Sequence, residues 1–417
     1  MKKKSIFIVI AILVILLLIV SSVLIVNHNK KQLEQERIEL TETIKSHYNL
    51  YVKTNKETDL YKKETDNYIK SGKINKDVNI LLSEINIDYN TKYFHIKDLD
   101  LYIKYEDVGK TDEFIKDDRF KNYIYFNKNI TTKSSTSFYD IENNYLYTLN
   151  ESYDFSVLVI DEDRYGIVFN DELLFVKKDD VEKIYDSNNT DLKNKTRIRT
   201  LTYHFLYDPA TYNCDQIICH TLTQFESHLK YIKENNYFSL TLEELELYLD
   251  GKIQIPEKSI VLTIDDGTIL DDGALRLLEE YDVVATLFLI TGWVSPDRFN
   301  STYLNIESHT HNMHNQYECP GYGSQGGGIL CLDEEYVLND LKLSQDNLGG
   351  SKYFAYPFYD FNDRAINLLQ KAGFTMAFIG QYDSDGYSYP NKTNKYLVRR
   401  KAIFSSTTLE DFVSYLK

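Results

Sequence analysis

The chain has 417 residues, enough for two or three domains with substantial cores. Its formal net charge of −16, with 47 Lys and Arg against 63 Asp and Glu, argues against a nucleic-acid partner, because binding phosphates requires clustered cations. The same charge weakens adhesion to anionic surfaces, so attachment to a membrane has to come from a dedicated segment.

Such a segment opens the chain. Ile6 to Val26 is apolar except for Ser21 and Ser22, and as a helix it spans about 30 Å, the thickness of a bilayer core. Lys2, Lys3 and Lys4 precede it, which keeps the N-terminus in the cytoplasm and places everything after Val26 outside. The run is too long for the core of a cleaved signal peptide and no A-x-A site follows, so residues 1–28 read as a cytoplasmic tip and a retained transmembrane anchor. Leu33, Arg37, Leu40, Ile44 and His47 then fall at helical spacing, predicting a short stalk helix over 29–47.

From 48 to 185 the pattern alternates Tyr, Ile, Val and Phe with polar residues and breaks at Asn, Asp and Gly, which is strand chemistry. Leu101-Tyr102-Ile103-Lys104-Tyr105-Glu106-Asp107-Val108 recurs as Leu174-Phe175-Val176-Lys177-Lys178-Asp179-Asp180-Val181. The repeat predicts two small all-β units, 48–110 and 111–185. Their tyrosines can fill small cores or stack on sugar rings. Residues 186–196, rich in Asn, Asp, Lys and Thr, read as a linker.

In 197–417 strand and helix patterns alternate. Strands are predicted at Arg199–Phe205, Ile260–Ile264, Val284–Ile290 and Tyr353–Tyr356, and helices at Gln224–Glu234, Leu242–Leu249, Asp272–Glu280, Glu334–Leu348 and Asp363–Ala372, which argues for an α/β barrel or sheet. All four cysteines lie here. Outside the cell they admit disulfides in three connectivities, and two local bridges, Cys214 with Cys219 and Cys319 with Cys331, are preferred to a metal site built from Cys214, Cys219 and His220. The second pair flanks a glycine-rich loop, Gly321 to Gly328, which lacks the Lys-Ser/Thr ending of a phosphate loop.

Four stretches of this domain carry chemistry: Tyr203-His204-Phe205, Thr263-Ile264-Asp265-Asp266-Gly267, His309-Thr310-His311-Asn312-Met313-His314 and Tyr356-Pro357-Phe358. Two adjacent carboxylates ending a buried strand are costly without a cation. A regular strand would point them to opposite faces, but Gly267 permits a turn that gathers both. Histidines five apart do not share a helix face, so His309 and His314 belong on a loop. Two imidazoles and one carboxylate make a three-ligand site with a place left for water, the pattern of catalytic zinc, and Asp265 is then the natural general base.

Residues 197–417 resemble the polysaccharide deacetylase (NodB-homology) domain of carbohydrate esterase family 4. Within it the opening Leu201-Thr202-Tyr203-His204, the phrase from Phe225 to Thr263 and the His309 to His314 spacing are most similar to the poly-N-acetylglucosamine deacetylase branch. The resemblance implies a distorted β/α barrel with its site at the strand ends, and a divalent metal, zinc by preference, held by Asp266, His309 and His314. It further implies Asp265 as base and the Phe358 backbone N–H as oxyanion donor, with His204, Tyr203, Tyr356 and Pro357 around the site. Two departures stand out. The arginine expected two residues before Pro357 is Ala355, with Arg400 in the segment Val398 to Ile403 as its replacement, and no histidine follows His314, which leaves His311 or a metal-held water to protonate the leaving amine. The resulting expectation is an outward-facing membrane enzyme that deacetylates N-acetylglucosamine residues of a cell-wall or extracellular polysaccharide. Its rivals are an O-acetyl esterase and a catalytically weak glycan-binding surface protein.

Overall fold

The computed structural model describes residues 2–65, 67–84, 92–111, 118–187, 195–321, 325–381 and 386–416, with the backbone alone for 2–16, 18, 45–47 and 381. The chain divides into two compact units, one of residues 1–118, 128–157 and 162–186, the other of 119–127, 158–161 and 187–417.

The first unit begins with one continuous helix, α1 (Lys2–His47), whose last part is the expected stalk. Among the described residues no helix is long and apolar enough to cross a membrane. Most of the expected span falls on residues whose side chains lie outside the described set, while Ile19, Val20, Val23, Leu24, Ile25 and Val26 are exposed.

The two sequence repeats fold alike. In the first, strand Leu101–Lys104 runs through a 3₁₀ turn at Tyr105–Asp107 into strand Val108–Lys110; in the second, Glu172–Lys177 runs through Lys178–Asp180 into Val181–Tyr185. Each repeat also has its own three-stranded sheet, Asn79–Leu81, Tyr51–Thr54 and Val108–Lys110 in one and Asp154–Ser156, Asn129–Thr132 and Val181–Tyr185 in the other. The segments expected as separate units share a larger antiparallel sheet, where Tyr145–Leu149 pairs with Asn67–Ile74. Buried Asn170 fastens them. Its amide accepts from Leu81 N–H at 2.8 Å and donates to the carbonyls of Leu81 and Lys97 at 2.7 and 3.3 Å.

The second unit is built on seven parallel strands: β1 (Ile198–Tyr203), β2 (Ser259–Asp266), β3 (Ala285–Leu289), β4 (Leu304–Ser308), β5 (Tyr353–Ala355), β6 (Met376–Gln381) and β7 (Val398–Ala402). They pair in the order β2-β3-β4-β5-β6-β7-β1, and β1 pairs back to β2, so the barrel closes. All eight residues of β2 are buried, the signature of a parallel strand covered on both faces. Helices α2 (Leu222–Glu234), α3 (Leu242–Leu249), α4 (Asp272–Tyr281), α5 (Glu334–Asn347), α6 (Asp363–Lys371) and α7 (Leu409–Leu416) follow the strands. One apolar cluster joins Leu201, Leu229, Leu262, Leu278, Leu287 and Phe412, another Leu341, Phe354, Leu369 and Phe374. This is the distorted β/α barrel expected, and β4, β6 and β7 are strands that the alternation of residue types did not predict.

Candidate metal centre

The C-terminal ends of β1, β2, β4 and β5 deliver His204, Asp265 with Asp266, His309 and Tyr356 to one mouth of the barrel, where folds of this kind place their sites. A cleft of about 170 Å³ opens there, lined by His204, Ile218, Asp265, Asp266, His309, His314, Gln325, Tyr356, Phe358, Tyr359 and Phe404.

The two aspartates face the same cleft because the backbone turns at the second. Asp266 is left-handed at φ 72° and Gly267 follows at 77°. A Cβ at Gly267 would come within 2.4 Å of Leu289 Cδ1, so glycine answers both to conformation and to space. Thr310, Phe358 and Tyr359 are also left-handed, at φ 79°, 56° and 63°. Such backbone is disfavoured for bulky or branched residues and persists where the surroundings over-determine it, as around active sites.

His309 Nε2, His314 Nε2 and an Asp266 carboxylate oxygen form a triangle with edges of 3.0, 3.4 and 3.5 Å. A tetrahedral zinc ion with bonds of ~2.0–2.1 Å holds its ligands about 3.3 Å apart, so the donor spacing fits one. The tautomer fits as well. The Ala355 carbonyl can only accept, so His309 Nδ1 carries the hydrogen donated to it at 2.8 Å, and the Nε2 lone pair is left facing the other two donors. Burial, reinforced by His309 beside it, pushes His314 down to about 4, which keeps its imidazole neutral and able to ligate at pH 7.

Asp265 is held differently. Arg400, on β7 and fully buried inside the barrel, donates from Nη1 to one carboxylate oxygen at 2.6 Å and from Nη2 to the other at 2.9 Å. Arg400 Nη1 also reaches the hydroxyls of Thr202 and Thr263, each at 3.3 Å. Burial pushes the Asp265 carboxyl up, but Arg400, His309 and His204 together outweigh it and hold the group below the ordinary carboxylate range. The arginine that Ala355 lacks is thus supplied from another strand.

Other expectations are corrected by the geometry. His311 does not reach the cleft: Asp340 accepts from the N–H groups of His311 and Asn312 at 2.8 and 2.7 Å, turning the loop so that the His311 ring meets Thr291 and Asn347. Tyr203 is buried away from the cleft with its hydroxyl 3.0 Å from His228 Nδ1, and Pro357 supports the turn without lining the cleft. His204 does line it, its Nε2 3.9 Å from Asp265. Cys214 pairs with Cys219 and Cys319 with Cys331. Residues 322–324 of the glycine-rich loop lie outside the described residues. The next residue, Gln325, reaches the cleft, and Asp360 accepts from the N–H groups of Gln325 and Gly327 at 2.9 and 3.0 Å. Gln325, Tyr359, Ile218 and Phe404 were not anticipated, and apart from the position of Tyr359 directly after Phe358, nothing local in the sequence marks them.

Residues 252–377 match the family model for polysaccharide deacetylase, and the chain therefore carries a domain of that family. The match contains Asp265, Asp266, His309 and His314 and stops short of His204 and Arg400. Among curated proteins, the poly-beta-1,6-N-acetyl-D-glucosamine N-deacetylase of Staphylococcus aureus (strain MRSA252) is 26% identical over 217 residues, covering 46% of this chain and 73% of that one. The enzyme of the same name from Staphylococcus epidermidis is 27% identical over 195 residues, covering 40% and 65%. Among solved structures, IcaB from Ammonifex degensii aligns with a TM-score of 0.43 at 20% identity, over 54% of this chain and 97% of its own. A polysaccharide deacetylase from Bacillus cereus aligns at 0.44 and 17% identity, over 87% and 100%.

Proposed function

We propose that the barrel domain hydrolyses the acetamide of N-acetylglucosamine residues in a polysaccharide, releasing acetate and leaving a free amine. The observation that carries this reading is the donor triangle of Asp266, His309 and His314 beside a second aspartate, Asp265, clamped by Arg400. The names of the curated relatives support the amide of a glucosamine polymer over an O-acetyl ester.

A divalent cation at the triangle, zinc by its donor set, supplies Lewis acidity toward the carbonyl and lowers the pKa of a water when bound. Asp265 takes a proton from the attacking water. Its low pKa keeps it ionised at working pH, and makes it a weak base that depends on an acidified water. The Phe358 N–H faces the oxyanion that develops as water adds to the carbonyl carbon. His204, the histidine on the cleft wall outside the triangle, donates its Nε2 proton to the nitrogen as the C–N bond breaks and the electron pair stays on nitrogen. Trp293, the one tryptophan of the chain, stands half exposed with its ring edge-on to His314, centroids 5.7 Å apart, and offers a sugar ring a stacking face.

We read the apolar start of α1 as a membrane anchor that leaves both folded units outside the cell; the basic start, the length of the run and the exposure of residues 19–26 support this. Protease added to intact cells should then remove the barrel domain, and a freely secreted chain beginning near Asn27 would reject the anchor. The enzymatic reading is tested by acetate release from an N-acetylglucosamine oligomer; release from an O-acetylated glycan alone would favour the esterase.

A further inference from the structure

Phe358 and Tyr359 are consecutive aromatic residues in left-handed backbone. Phe358 lines the cleft, where the proposed function gives its N–H the oxyanion. The Tyr359 N–H closes the turn on the Tyr356 carbonyl at 3.0 Å, a bond any residue could make, and glycine would hold the conformation without strain. What the tyrosine adds is its side chain. The ring lies 5.5 Å from the Arg400 guanidinium, in room left by Gly380, where a Cβ would come within 2.7–2.9 Å of three ring carbons. Its hydroxyl is 3.5 Å from His204 Nε2, a long contact of the kind that tightens when substrate binds. His204 Nδ1 is buried without a hydrogen-bond partner among the described residues. A histidine that moves protons is ordinarily oriented through its second nitrogen. Here that nitrogen orients nothing, and the Tyr359 hydroxyl is the side-chain hydrogen-bond contact that holds the ring.

We propose that Tyr359 is a positioning residue for His204: its hydroxyl keeps Nε2 turned into the cleft so that the proton is aimed at the leaving amine. The proposal rests on the reading of His204 as proton donor. The Tyr359 hydroxyl oxygen accepts the Nε2–H before reaction; when the C–N bond breaks that same proton passes to the amine nitrogen, and the hydroxyl releases it without being consumed.

An amide cannot expel its nitrogen unprotonated, whereas an aryl ester expels a stable phenolate, so the two substrates separate positioning from structure. Tyr359→Phe should lose about tenfold in kcat on an N-acetylglucosamine oligomer, with KM nearly unchanged, and keep its rate on 4-nitrophenyl acetate within about twofold. Tyr359→Gly removes the ring together with the hydroxyl and should lose at least as much amide turnover as Tyr359→Phe. Added to His204→Ala, the Tyr359→Phe change should cost nothing further, since both act at one step. Equal losses on both substrates, an additive double variant, or full amide turnover in Tyr359→Phe would overturn the proposal. A wild-type enzyme that cleaves the aryl ester and never the amide would instead remove the deacetylase reading on which it rests.

Discussion

The mouth of the barrel and the tandem β unit both contain non-glycine residues in left-handed backbone, for opposite reasons. In the β unit most are Asn or Asp in turns, with Thr65, Lys92 and Ser135 beside them. Asn170 and Asp171, at φ 53° and 65°, form the two-residue connection between Arg164–Phe169 and Glu172–Lys177, and Asn143 and Asp98 likewise lie between strands. Two successive positive φ values match the right-handed twist of the paired strands, and Asn and Asp adopt them at little cost. At the barrel mouth Asp266, Phe358 and Tyr359 line the cleft, and buried Thr310 follows His309. One region uses the conformation to fold; the other accepts strain to aim groups. The mouth also buries Asp265, Asp266, His309 and Arg400 together, while the described part of the β unit keeps most of its charges at the surface.

The sharpest break of this contrast is at the base. Asp265→Asn keeps shape and loses proton acceptance, so turnover should fall by ~10²-fold or more while bound metal is retained. Full activity in that variant, measured as acetate released, would refute the mechanism. Next in size, Arg400→Ala leaves a buried carboxylate unpaired and should destabilise the fold by roughly 3–5 kcal/mol in denaturant titration. The sign of its pH effect follows from Asp265. With Arg400 present, the folded group titrates below its unfolded value, so its stabilisation is complete above the ordinary carboxylate range and is lost only as pH falls through the lowered value. Without Arg400 burial is less opposed, and the acidic limb of kcat/KM should move to higher pH; an unmoved limb would mean that another group sets it.

Burial pushes His228, stacked on Phe412 at 4.0 Å, from 6.5 down to about 4. Between those values the unfolded chain takes up a proton that the folded chain refuses, so stability should fall as pH drops from about 6.5 to about 4, by up to roughly 3 kcal/mol. Melting curves across that range test this, and His228→Phe should make them less steep by its share, with those of His220 and His314, each also pushed down to about 4, remaining. The smallest effect is the one that isolates the β unit. Asn170→Ala strands the Leu81 N–H and two carbonyls and should cost about 1–3 kcal/mol, yet leave kcat on an oligomer unchanged. A fall in kcat would show that the two regions are not separable.

Much of the barrel was legible because its signals are local. The apolar run before Asp265 marks a covered parallel strand, and the predicted helix Leu242–Leu249 coincides with α3, closed by a Thr241 and Glu244 capping box. The candidate donors Asp266, His309 and His314 were legible because residue type and spacing carry their chemistry, and the structure brings their ligand atoms together. What stayed hidden is held by contacts across the chain. β7 reads Val398-Arg399-Arg400-Lys401-Ala402, too polar to suggest a buried strand; Arg400 was expected at Asp265 through the family resemblance alone, and the closed barrel shows how an interior position brings it there. The pairing of the two repeats within one sheet, Tyr145–Leu149 against Asn67–Ile74, leaves no trace in composition. His311 drew notice because it sits between His309 and His314 in sequence, but Asp340 turns its backbone so that the ring leaves the site, as a plain loop residue would.

The central claim is that Asp266, His309 and His314 hold a divalent metal on which amide hydrolysis depends. The direct measurement is metal content and acetate release on the same purified samples, before and after chelation and after zinc is restored. The account predicts about one ion per chain in the wild type, loss of acetate release with the ion and recovery with it, and neither ion nor activity in His309→Ala, His314→Ala or Asp266→Ala. Unchanged metal content in all three variants, or acetate release that survives complete chelation, would contradict it.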